Sequence, residues 1–134
     1  MNYTNAQFRS IINGYDFTST SARDSYFPIS SNEAPLTDKA TVEAIKAFQT
    51  YFQLKVDGIA GPITMAKAEQ AMRILQYNLN LVIKANLPVN QPFYGPKTVA
   101  AVKEFERRYG YSVDGVANLP VRKRLNDLAR QMAA

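Results

Sequence analysis

Apolar residues recur along this chain at the spacing of a helix. Val42, Ile45, Phe48 and Phe52 lie three or four residues apart, and Val99, Val102, Phe105 and Tyr109 repeat the spacing further on. Side chains so placed share one stripe of a helix, which has to be covered. The two stretches are copies. Shifted by 57 residues, 41–60 aligns on 98–117 with nine identities in twenty positions, and Ile45/Val102, Phe52/Tyr109 and Ile59/Val116 are close substitutions. Each copy runs into Val-Asp-Gly, at Val56-Asp57-Gly58 and Val113-Asp114-Gly115. Glycine takes positive φ without steric cost and aspartate accepts backbone N–H bonds, so a helix is predicted to end just before a tight turn in both copies.

The punctuation between the stripes is equally regular. Gly61-Pro62-Ile63-Thr64 and Gly95-Pro96-Lys97-Thr98 place Pro at a first helical position, where its missing N–H costs nothing. Asp38 and Asn118 stand at the other two starts as N-caps. The separations from 38 to 61 and from 95 to 118 are both 23 residues. No Gly or Pro interrupts the chain from Pro62 to about Ala85, which predicts one long helix with Met72, Leu75, Leu79, Val82 and Ile83 facing inward. A short helix from Asn5 to Asn13 contributes Phe8, Ile11 and Ile12. Between Gly14 and Thr37 runs a Ser/Thr-rich connection whose Tyr15, Phe17, Tyr26 and Phe27 argue for partial packing on the body. The expected fold is all-α, about five helices and no sheet, with a central helix shared by repeats at 1–70 and 71–134.

Composition narrows the chemistry. The chain has no Cys and no His, which removes disulfides, the usual zinc ligands, a Ser-His-Asp triad and the commonest general base. No metal and no cofactor is expected. Residues 1–70 carry six basic and seven acidic side chains, whereas 71–134 carry ten basic and four acidic ones. A basic second half suits an anionic partner. The first 17 residues are too polar for an export signal, and no apolar run is long enough for membrane insertion.

These pieces resemble a known pattern. Leu75-Gln76, Gly95-Pro96-Lys97-Thr98, Ala101-Val102, Phe105 and Val113-Asp114-Gly115 resemble the peptidoglycan-binding domain 1 family. A first copy shows Ala44-Ile45, Phe48-Gln49, Val56-Asp57-Gly58-Ile59 and Gly61-Pro62-Ile63-Thr64. The resemblance implies tandem three-helix modules that hold glycan strands and stem peptides without cutting them, and so anchor a protein or particle to murein. The chain departs from the family at Leu36-Thr37-Asp38, at Asn118-Leu119-Pro120-Val121, and at Glu106, where Gln is common.

A murein binder needs exposed rings, hydrogen-bond donors and positive charge in a shallow groove. The candidate contacts are Tyr51, Tyr94, Arg107, Arg108, Tyr111 and the turn residues Asp57, Gly58, Asp114 and Gly115. For the glycines and aspartates, turn geometry is the competing explanation; for the tyrosines, it is packing. A muramidase would need two carboxylates flanking a glycosidic bond, and Glu43, Glu104 and Glu106 sit at ordinary helical positions, Glu104 and Glu106 facing apart. The cluster Arg122-Lys123-Arg124 with Arg107 and Arg108 could meet phosphates, but no nucleic-acid-binding motif accompanies it. The main rival is a protein-interaction module, partnering an envelope or virion protein, that kept the fold and lost the glycan.

Overall fold

The computed structural model describes residues 2–133 and is helical throughout, with no strand among them. Five α-helices follow in order: α1 (Asn5–Gly14), α2 (Lys39–Tyr51), α3 (Pro62–Ile83), α4 (Pro96–Tyr109) and α5 (Leu119–Ala133). A single 3₁₀ turn, Thr20–Ala22, interrupts the α1–α2 connection. The central helix α3 is unbroken through residue 70, so the two repeats meet inside one element. Its partners are α4 and α5, while α1 packs on α2.

Each helix starts for a local reason. Thr4 forms a capping box with Gln7, its Oγ1 accepting from Gln7 N at 3.1 Å and its own N–H donating to Gln7 Oε1 at 2.9 Å. Asp38 caps α2 by accepting from Thr41 N at 3.1 Å and Thr41 Oγ1 at 2.8 Å. Asn118 Oδ1 accepts from Val121 N at 3.0 Å and starts α5. Gly61 and Gly95, each followed by Pro, open α3 and α4 without a side-chain cap. The helices α2 and α4 end at Tyr51 and Tyr109, four and three residues short of their Val-Asp-Gly turns. The reversal is made earlier than the turns, at equivalent left-handed residues: Gln53 (φ 59°) in the first copy and Gly110 (φ 79°) in the second.

The stripes meet in one apolar cluster that runs through both repeats. Phe48, Phe105, Phe8, Ile11, Ile12, Met72 and Leu79 are all fully buried in it. Phe48 takes Phe8 edge-on at 6.1 Å and Phe17 at 5.7 Å, which brings the long connection onto the body. Buried Arg9 holds the rest of that connection. It donates to the carbonyls of Asn32, Ala34 and Pro35 and to Asp38 Oδ1 at 3.0 Å. Not all of the connection packs: Tyr26 is 77% exposed, and Phe27 lies under the Arg23 guanidinium, 4.3 Å from its ring centre.

Candidate functional site

The two Val-Asp-Gly turns are built alike, each around one buried side chain of the preceding helix. In the first, Gln49 of α2 accepts from Asp57 N at 3.1 Å and Gly58 N at 2.9 Å through Oε1. Its Nε2 donates to Asp57 Oδ1 at 2.9 Å, Ile59 O at 3.1 Å and Thr64 Oγ1 at 3.1 Å. Both halves of the amide are used, so the turn is tied to α2 and to the first turn of α3. The Asp57 carboxylate also accepts from Ile59 N at 3.0 Å. That backbone bond, with the Gln49 bond, holds its pKa below the usual carboxylate range. In the second turn Glu106 of α4 replaces Gln49, accepting from Asp114 N at 3.1 Å and Gly115 N at 2.8 Å, while Asp114 Oδ1 accepts from Val116 N at 2.9 Å.

Gly58 and Gly115 share a φ of 74° and are buried. A Cβ on either would come within 2.9 Å of Val42 Cγ1 or 2.7 Å of Val99 Cγ1, so the turn lies flat against its own helix. Their role is close approach. The aspartates are exposed.

Among the aromatic candidates, Tyr94 needs correction. It was expected to offer an exposed ring, but it is buried: its hydroxyl donates to Gly115 O at 2.6 Å and accepts from Ala117 N at 3.2 Å. The ring lies across Gly14, where a Cβ would sit 2.3 Å from it. Burial drives the phenol pKa far above its ordinary value. Tyr51 is 46% exposed, leaning on Phe52 and Phe17, with the Arg122 guanidinium 5.2 Å from its ring centre. Tyr111 is half-buried, stacked on Phe105 at 6.3 Å. Arg107 and Arg108 are exposed and both pair with Glu104, at 3.0 and 3.1 Å.

The basic cluster does not stay together either. Arg122 is buried, donating to Tyr15 O at 2.9 Å and Ala117 O at 2.5 Å, and so ties α5 to the end of α1. Lys123 and Arg124 remain outside. The carboxylates considered for hydrolysis lie apart: Glu106 in the core, Glu104 under the two arginines, Glu43 on the exposed side of α2. Among the described residues, no three acidic side chains gather as a metal would require, and no helix is long and apolar enough to cross a membrane.

Two shallow clefts stand where the sequence placed only helix starts. One, of about 190 Å³, opens before α3 and is lined by Lys55, Asp57 and the 61–64 segment. The other, about 320 Å³, opens before α4 and is lined by Pro88, Phe93 and the 95–98 segment. Buried glutamines stand behind both. Gln76 donates to Gln91 O at 3.1 Å and Phe93 O at 3.3 Å, and its Oε1 has no protein partner. Glycine gives neither helix a side-chain cap, and a helix N-terminus left uncapped favours negative charge. Lys97 is the charged residue of the second cleft; in the first, Lys55 faces the Asp57 carboxylate. Lys55 and Lys97 were not among the sequence candidates, although the Gly-Pro-x-Thr pattern beside them was the available signal.

The family comparison agrees with this duplicated architecture. The model of the family described as "Putative peptidoglycan binding domain" matches residues 21–68 and again 68–125. The chain belongs to this family. Two tandem peptidoglycan-binding-domain copies thus cover most of it, and their junction falls within α3. No curated protein and no solved structure matched the chain.

Proposed function

We propose that the chain is a non-catalytic module that holds peptidoglycan, and so fixes a protein or particle to murein. The observation that carries this reading is the tandem family match, beside the open cleft before α4 with Lys97 in its lining. The chemistry of the second cleft suits a stem peptide. Open amides and Lys97 complement a carboxylate, the Gln76 amide complements a peptide group, and Pro88 and Phe93 offer apolar contact. The exposed rims at Tyr51, Asp57, Arg107, Arg108, Tyr111 and Asp114 are proposed as secondary contacts. Gly58 and Gly115 contribute by shaping the turns, and Tyr94 by supporting Gly115. The three carboxylates considered for hydrolysis, Glu43, Glu104 and Glu106, lie apart, which supports binding without cleavage.

Co-sedimentation with purified sacculi tests this. Wild type is expected in the pellet, Lys97→Ala to bind roughly fivefold more weakly, as fits the loss of one exposed ion pair to a carboxylate, and Lys55→Ala to change little. Equal retention of all three would remove the cleft from the account, and a wild type left in the supernatant would remove murein. A second reading, a protein-interaction module, is favoured by one feature: Ile74, Tyr77 and Val89 expose apolar surface around an open groove of about 540 Å³. Under that reading Tyr77→Ser, and not Lys97→Ala, abolishes complex formation.

A further inference from the structure

Glu106 occupies the place of Gln49 but cannot do the same work as a carboxylate. Both are fully buried, both follow the buried Phe of their stripe, and both accept from the two turn amides through one oxygen. Gln49 then spends its Nε2 as a donor. The corresponding atom of Glu106, Oε2, is buried and has no partner. The Glu106 carboxyl neighbours the Asp114 side chain, the counterpart of Asp57, to which Gln49 donates. At the position of Thr64, whose hydroxyl receives Gln49, the second repeat has Val121. An ionised Glu106 would therefore put two carboxylates together in the core edge, one of them with an unsatisfied oxygen. A protonated Glu106 restores what the amide provides: Oε1 accepting, and Oε2–H donating to Asp114.

We propose that Glu106 carries a proton in the folded chain and that this proton is the latch of the second Val-Asp-Gly turn, a pH-sensitive closure that the first repeat, with its glutamine, lacks. The other groups around Glu106 do not neutralise it. From the turn comes Asp114, of the same sign. The segment before α4 supplies the Tyr94 phenol, which stays neutral and engages Gly115 O. On α4 itself, Lys103 runs its methylenes past Gly115, while Arg107 and Arg108 are taken by Glu104. From α5, Arg122 is directed to the carbonyls of Tyr15 and Ala117. Burial, and then the neighbouring Asp114, raise the Glu106 pKa to about 7.

The sign of the effect follows. The folded chain holds the proton more tightly than the unfolded one, so the latch contributes fully below the ordinary carboxylate range. Its contribution is lost as pH rises from there through about 7. No His or Cys titrates in that window.

Urea unfolding of wild type and Glu106→Gln between pH 5 and 8.5, with carbon-detected NMR titration of the Glu106 carboxyl, tests the latch. Expected for wild type is a folding constant that falls at least tenfold from pH 5 to 8, as a carboxyl that titrates at about 7 in the folded chain requires. Glu106→Gln should lose this slope and be the more stable protein at pH 8. The Glu106 carboxyl should titrate well above ordinary glutamates, and the Gly115 N–H should lose protection, relative to its intrinsic exchange at each pH, as it does. Parallel pH profiles for the two proteins, or a Glu106 carboxyl that titrates in the ordinary range, would overturn the proposal.

Discussion

At the residue scale, the same backbone demand is met by different side chains in the two copies, and the energetic consequences differ. Gln53 and Gly110 both adopt left-handed φ, at 59° and 79°. A residue with a Cβ is strained there, so Gln53→Gly is expected to raise stability by about 0.5–1 kcal/mol in urea unfolding. Gly58→Ala and Gly115→Ala should each cost about 2–4 kcal/mol, because positive φ and the Val42 or Val99 methyl act together. Should Ala at either glycine leave stability unchanged, the close approach of turn to helix is wrong. The Val-Asp-Gly repeat made these glycines legible from local sequence alone. Tyr94 and Arg122 were not legible in that way. Their partners, Gly14 for the Tyr94 ring and Tyr15 O for Arg122, lie about 80 and 107 residues away in the chain, and nothing local marks an aromatic or basic residue as internal.

The helices followed from periodicity and caps, with α3 read correctly as one long element because no Gly or Pro intervenes. Helix ends were less visible: the Gln53 and Gly110 reversals precede the conspicuous Asp-Gly pairs, so α2 and α4 stop earlier than those pairs suggest. The 3₁₀ turn at Thr20–Ala22 had no periodic signal of its own. The 32–38 end of the long connection is held by Arg9, a single residue of α1 that satisfies three carbonyls and reaches the α2 cap. Asp38 feels both effects: burial pushes its pKa up, and the bonds from Thr41 and Arg9 outweigh that and hold it below the usual range. Replacing Arg9 by Met keeps the apolar stem and removes the donors. The expected result is a loss of about 2 kcal/mol, with faster hydrogen exchange in residues 32–41 and little change in α4 and α5. Uniform acceleration across the molecule would mean that the connection is not a separate cooperative unit.

For the whole molecule, duplication explains the fold and the paired turns, but not the clefts. One apolar cluster serves both repeats, so neither three-helix unit is complete without α3. Two clefts open before α3 and before α4, at starts that the 57-residue shift does not pair, and they differ in charge because Asp57 faces Lys55 in the first whereas Lys97 stands without an acidic neighbour in the lining of the second. The overall plan was readable because it is written twice. The clefts were not, because they are made by backbone amides and loop carbonyls, which carry no residue-type signature. The most direct test of the account is amide NMR of the ¹⁵N-labelled chain titrated with soluble disaccharide-peptide fragments of murein. Saturable shifts gathered on Lys97, Thr98 and the 93–95 segment, with the fragments recovered uncut, are the predicted result. Shifts gathered instead on Ile74 and Tyr77, no shifts at millimolar fragment, or the appearance of new reducing ends would contradict it.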